Sequence, residues 1–246
     1  MKITAIRTKK VLPQKASLEN LLSASLPKIR ERSILAVTSK IIALLEGSFV
    51  QKSGTSKKEL IFEEAEYLFQ GVGTPHDIVL TIKNNLLIPT AGIDESNAHG
   101  TYVLWPRDPQ KSANAIRTFL KKEYGVRYVG VIITDSRTTP LRRGTVGAAI
   151  AHSGFVSLNN YIGKPDIFGK PLIVTQANIM DALAASAVAV MGEGNEQTPL
   201  AVIEHIPFVT FQDRNPTASE LKYSKISLED DLYAPLLKKT QWQKKP

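Results

Sequence analysis

Apolar residues along the chain fall into short runs and helical spacings separated by polar turns, a pattern that predicts an α+β protein of mixed sheets and helices. Ser17 is placed to cap a helix running to about Arg30, and Ile34-Leu35-Ala36-Val37-Thr38 reads as a buried strand followed by Lys40. Residues 51–60 read as an exposed loop, and the segment after them as helix through Phe69. A hairpin is expected across Asn84-Asn85, with Ile78-Val79-Leu80 on one side and Leu86-Leu87-Ile88 on the other. Asp108-Pro109 supplies a capping carboxylate and a proline for the first helical position, and Ala113, Ile116, Phe119 and Leu120 keep helical spacing up to Gly125. Tyr128 to Ile133 is a β-rich run expected to terminate at Asp135. Gln176 to Val190 reads as a long alanine-rich helix with Gly192 at a left-handed C-cap, and Pro199 to Ile206 as a further strand. The lysine-rich end, 238–246, reads as a loose basic tail. No repeat or linker divides the chain, so 1–246 is expected to form one unit.

Three acidic stretches stand at the ends of apolar segments: Gly92-Ile93-Asp94-Glu95-Ser96-Asn97, Ile133-Thr134-Asp135-Ser136 and Met191-Gly192-Glu193-Gly194-Asn195-Glu196. Carboxylates, hydroxyls and amides of this kind suit hard cations such as Mg²⁺ and Mn²⁺, which take oxygen ligands and often share them with phosphates. Each stretch also has a plainer reading. Asp135 could cap a turn with Ser136, and an Asx-turn explains Asp94 to Asn97. Glu193 follows a helix C-terminus, where a carboxylate meets the negative end of the helix dipole at a cost of roughly 0.3 to 1 kcal/mol. A bound cation would remove that conflict, and so would solvation on a glycine-rich loop. Arg137, Arg142 and Arg143 form a basic loop beside Asp135 whose guanidinium forks fit phosphate or carboxylate, unless the loop is only surface.

The formal charge of +8 adds a mild preference for an anionic partner. Nucleic acid fits poorly, because aromatic residues are sparse and not interleaved with the basic clusters. The absence of cysteine excludes disulfides, thiolate zinc sites and a Cys nucleophile, and fits a cytoplasmic protein. The four histidines, His76, His99, His152 and His205, show no ligand spacing. No apolar run reaches transmembrane length and the N-terminus lacks a signal-peptide core, so no membrane association is expected. Neither a G-x-x-x-x-G-K-[ST] loop nor a G-x-G-x-x-G after a strand is present, so metal and dispersed contacts would have to hold any nucleotide.

Several segments form an ordered set: Val37-Thr38-Ser39-Lys40-Ile41 with Glu46-Gly47, the Gly92 to Asn97 stretch, and Asp108-Pro109 with Ser112-Ala113 and Ile116-Arg117. Asp135-Ser136 with Pro140, Arg142 and Gly144 follow, then Phe168-Gly169 with Thr175, and Met191-Gly192-Glu193 with Glu196, Thr198 and Pro199. Taken in order, these segments resemble the coenzyme F420-0:L-glutamate ligase family, also called F420:γ-glutamyl ligases. The resemblance implies a GTP-dependent amide ligase using two divalent cations, Mn²⁺ or Mg²⁺, in an intertwined homodimer with an F420:γ-glutamyl ligase-like fold. Carried over by position, Asp94 and Asp135 would bind one ion, and Ser136 and Glu193 the other. Ser39, Lys40, Asn97, the loop Met191, Gly192, Gly194, Asn195, Glu196 and Thr198, and backbone near Val11 to Gln14 would meet the nucleotide. Lys40 with Arg142 or Arg143 would balance the remaining charge during catalysis.

Departures from the family pattern surround that set. Ser136 replaces a usual threonine, Glu193 a usual glutamine and Leu44 a usual lysine, while Thr138-Thr139-Pro140-Leu141-Arg142 stands for Gly-Arg-Pro-Trp-Arg. These changes leave the acceptor open between F420-0 and a folate-type carboxylate. They also motivate an alternative, a nucleotide-binding homologue without catalysis.

Overall fold

The structure, a computed structural model, describes residues 1–69 and 78–244. A five-stranded sheet organises it, with β1 (Lys2–Ile6), β12 (Leu200–Glu204), β2 (Ser33–Thr38), β8 (Val129–Thr138) and β9 (Thr145–Ser153) side by side in that order. Only β2 and β8 run parallel within it; the other neighbours are antiparallel. Strand periodicity divides the side chains between two faces. Leu35, Val37, Val131, Ile133, Leu200 and Val202 point to one core, where α1 (Leu18–Ser25), α2 (Ser39–Glu46) and α4 (Pro109–Tyr124) cover them with Leu22, Ile41, Ile42, Ile116 and Leu120. Ile34, Ala36, Ile132, Ala201 and Ile203 face the other, covered by Leu183, Ala184, Ala187 and Met191 of α5 (Ile179–Met191). Helices on both faces explain why these strands read as continuous apolar runs.

A second sheet places β13 (Trp242–Lys244), β4 (Tyr67–Phe69), β5 (Leu80–Lys83) and β6 (Leu86–Pro89) in that order. Short pairs join β3 (Phe49–Gln51) to β7 (Thr101–Val103), and β10 (Leu158–Asn160) to β11 (Gln176–Asn178). The chain is thus mixed α+β, as its pattern predicts. Asn84 and Asn85, at φ 50° and 62°, form the expected hairpin turn, and Asp108 accepts from the Lys111 N–H at 2.9 Å to start α4.

Several boundaries differ from expectation, among them the 51–60 segment read as loop, in which a helix already starts at Lys57. Ser17 does cap α1, but the helix stops at Ser25, because Pro27 forces Leu26 into an extended conformation. Helix α3 (Lys57–Glu64) ends before Phe69, and Tyr67–Phe69 instead pairs with β5. The alanine-rich helix begins at Ile179, where Asn178 caps the Asp181 N–H, while Gln176–Asn178 is strand. Past Lys238, Trp242–Lys244 forms a strand that pairs with β4. Short α6 (Ala218–Tyr223) and α7 (Ala234–Leu237) precede it. His76 lies outside the described residues.

Candidate active site

The strand expected to end at Asp135 continues to Thr138, with an irregularity between Ile133 and Thr134. It is β2 that stops there: Thr38 pairs with Thr134, and the chain turns into α2 at Ser39. Asp135 therefore stands just beyond the carboxyl end of the parallel pair, a position where open sheets commonly bind ligands. A cleft of about 1010 Å³ opens at this point. Its walls include Ser39 and Lys40 of α2, Asp94 and Asn97, Asp135 and Ser136 of β8, and the loop Met191 to Thr198 after α5.

Asp94 is presented by an unusual turn. Thr90, Ala91 and Gly92 have φ of 51°, 52° and 71°, and β-branched Thr90 is a true outlier there. The turn survives because buried Thr81 accepts the Ala91 N–H at 2.8 Å and donates to the Ile88 carbonyl at 2.6 Å. One oxygen of Asp94 accepts the Ser96 N–H at 2.7 Å, the Asx-turn of the plainer reading, while the other meets Lys40 Nζ at 2.5 Å. Lys40 also donates to the Ser96 carbonyl at 2.9 Å. Desolvation alone would raise the Asp94 carboxyl, but Lys40, by charge and hydrogen bond, holds it below the ordinary range.

Among the described residues, Asp135 has no such cation against it. Its Oδ1 accepts the Ser136 N–H at 2.8 Å and its Oδ2 the Trp105 indole N–H. Desolvation pushes the carboxyl up to about 6 against those two hydrogen bonds, with the Asp94 charge adding to the rise. Ser136 donates to Glu193 Oε1 at 2.7 Å, and Thr145 to the same oxygen at 3.3 Å. Gly192 has φ 82° and ψ 167°, a positive-φ conformation open essentially to glycine alone and different from the expected left-handed cap, and a Cβ on it would lie 2.5 Å from Glu196 Cδ. That tight turn lets Glu196 accept the Gly194 N–H at 2.9 Å and Asn97 donate to the Gly194 carbonyl at 2.9 Å. Thr198 donates back to the Met191 carbonyl at 2.5 Å and closes the loop.

Two groups of oxygen donors thus share the cleft: Asp94 with Asp135, and Ser136 with Glu193. Among the described residues no cluster of three or more His, Cys, Asp or Glu could hold a metal unaided. An ion here would complete its shell with hydroxyl, substrate or water oxygens, as Mg²⁺ commonly does. The under-compensated Asp135 carboxylate and the all-oxygen donor set fit a hard divalent ion. Arg142 and Arg143 are not brought to the cleft; they are exposed near the β8–β9 turn and do not line it. Arg137 turns instead to Asp181 at 3.7 Å. Thr145, Arg7, Lys9, Lys10 and Lys57, none of them expected from the sequence, also line the cleft. The alternation of β8 and β9 could have pointed to Thr145, but nothing local marks the lysines.

Fold and site together define a mixed α+β protein with an oxygen-lined, cation-fringed cleft at a sheet end. The family model described as F420-0:Gamma-glutamyl ligase matches residues 5–205, and the chain belongs to that family. It is 40% identical over 159 residues to a coenzyme F420:L-glutamate ligase of Methanococcus maripaludis, covering 65% of this chain and 61% of that protein. Proteins of the same name from Methanopyrus kandleri and Archaeoglobus fulgidus are 34% and 32% identical over 199 and 201 residues. Each alignment covers 74% of this chain, with 78% of the first protein and 79% of the second. The chain thus spans about 61% of the length of the Methanococcus relative.

Proposed function

We propose that this chain is a GTP- and divalent-cation-dependent ligase that joins L-glutamate to the carboxylate of an F420-type cofactor. The observation that carries the reading is the gathering of Asp94, Asp135, Ser136 and Glu193, from three distant stretches, into one cleft beside Lys40. The names of the relatives supply the reaction class and the acceptor. Bound Mg²⁺ or Mn²⁺ would neutralise phosphate oxygens and align the reactants. Asp94 and Asp135 would hold one ion, and Ser136 with Glu193 the other. Lys40 would pass from Asp94 to phosphate once a cation takes its place. The α2 N-terminus has no side-chain cap and lines the same cleft, where its backbone N–H groups would favour an anion. Asn97 and the Met191 to Thr198 loop would frame the nucleotide.

The acceptor carboxylate oxygen would attack the γ-phosphorus of GTP, releasing GDP and forming an acyl phosphate. The α-amine of glutamate would then attack the acyl carbon, expel phosphate and lose a proton, leaving the amide. No protein nucleophile enters this scheme. A homodimer belongs to the same proposal. The arm between β10 and β11 bares Ile167, Phe168, Ile173 and Val174 at 77% exposure or more, an apolar surface that a second copy would bury. Incubation with GTP, Mn²⁺, glutamate and either F420-0 or a folate, followed by mass spectrometry, tests the reaction. A one-glutamyl gain on F420-0 is expected. Gain on folate alone would redirect the acceptor, and GTP binding without gain on either would leave a non-catalytic nucleotide binder.

A further inference from the structure

We propose that Trp105 is a positioning residue that sets the separation of the Asp94 and Asp135 carboxylates. The inference rests on the cation-binding reading above and names the side chain, outside the donor set, that fixes its geometry. Trp105 follows β7, is 5% exposed and does not line the cleft. Its indole nevertheless touches both carboxylate-bearing segments. The N–H donates to Asp135 Oδ2, whose partner oxygen is held by the Ser136 N–H at 2.8 Å. Each carboxylate oxygen has two lone pairs, so both can be gripped this way and still accept a cation.

The second contact is with the turn that presents Asp94. A Cβ built on Gly92 would lie 2.1 Å from Trp105 Nε1 and 2.6 Å from Cε2, so the turn seats directly on the indole edge. Only glycine allows both that approach and a φ of 71°. The ring is fixed from a third direction by Lys83, whose ammonium lies 5.0 Å from its centroid and is tied to Glu64 at 2.5 Å. One rigid side chain is therefore wedged between the strand carrying Asp135 and the turn leading to Asp94. Partners of this kind orient metal ligands, and their loss typically costs about 10–100-fold in metal affinity. A tryptophan that only filled space would affect stability and leave affinity alone.

The chain has two tryptophans, which permits a direct test. Trp242 bonds the Leu237 carbonyl and packs on Phe69, away from the cleft, so Trp242→Phe leaves Trp105 as the single emitter. In that variant, with GTP present, paramagnetic Mn²⁺ should quench the fluorescence saturably, at the midpoint found for wild type by electron paramagnetic resonance of free Mn²⁺. Trp105→Phe keeps an aromatic ring but removes the N–H. It should weaken Mn²⁺ binding about 10–100-fold, while saturating Mn²⁺ restores most of the turnover. Unchanged Mn²⁺ affinity in Trp105→Phe, with or without a lower melting temperature, overturns the proposal. If Trp105→Phe fails to fold, the quench decides, and bound Mn²⁺ without quenching overturns it equally. Absence of Mn²⁺ binding by the wild-type protein would defeat the cation reading as well, which separates the two failures.

Discussion

At the scale of single residues, the protein spends strain and buried polar contacts where Asp94 is presented. Thr81 serves the turn with both roles of its hydroxyl, accepting from Ala91 and donating to Ile88. Thr81→Val keeps the shape but strands the buried Ala91 N–H, and should cost about 1–3 kcal/mol, read as a shift in the urea midpoint at constant slope. His152 makes a different prediction. It is 2% exposed, stacked edge-on to Phe155, and burial pushes its imidazole down to about 4. In the unfolded chain it protonates near its ordinary value of 6.5, so between pH 6.5 and 4 the unfolded state binds the extra proton. The His152 contribution to stability should therefore fall as pH falls through that window, by an amount on the order of 3 kcal/mol, while the raised Asp135 carboxyl contributes with the opposite sign between about pH 6 and 4. His152→Phe should flatten this part of the stability profile, and an unchanged slope would show that the residue is not the source.

At the scale of elements, the sequence was most legible where a local device dictates the backbone. Asp108-Pro109 and Asn84-Asn85 are such devices, and α4 and the hairpin fall where the residues place them. The buried strands β2, β8 and β12 were legible because helices cover both their faces, which keeps their apolar runs unbroken. Boundaries shift where a local signal competes with the apolar pattern, as with Pro27 at the end of α1 and the Asn178 cap that delays α5. Trp242–Lys244 could not be foreseen, since its pairing with Tyr67–Phe69 spans most of the chain. Element docking also depends on Arg117 of α4, 4% exposed, which donates to the carbonyls of Val129 and Gln212 and to Asn215. Arg117→Ala abandons these acceptors. It should destabilise the protein by about 2–3 kcal/mol, measurable by chemical denaturation, without changing cleft chemistry.

At the scale of the molecule, the candidate site was legible as an ordered set of stretches, because ligands for a hard ion must be oxygen-bearing and few positions in this basic chain supply them so compactly. Its supporting shell was not. Trp105 reaches the site only through tertiary packing, Thr145 reaches it across the β8–β9 pair, and Arg142 and Arg143, a few residues beyond Asp135, are carried away by the continuation of β8. Among the described residues no helix is long and apolar enough to cross a membrane. Assembly has its own test: light scattering should give twice the mass of one chain, and Phe168→Glu with Ile173→Glu should halve it. A monomeric wild type would remove the homodimer from the proposal.

The central claim is that four oxygen-bearing side chains form one cage for divalent ions at the end of the sheet. Anomalous diffraction from crystals grown with Mn²⁺ and a non-hydrolysable GTP analogue measures this directly. The expected map holds two peaks, about 3.5–4 Å apart, one against Asp94 and Asp135 and the other against Ser136 and Glu193. A nucleotide bound with Mn²⁺ peaks elsewhere, or with none in this cleft, would contradict it.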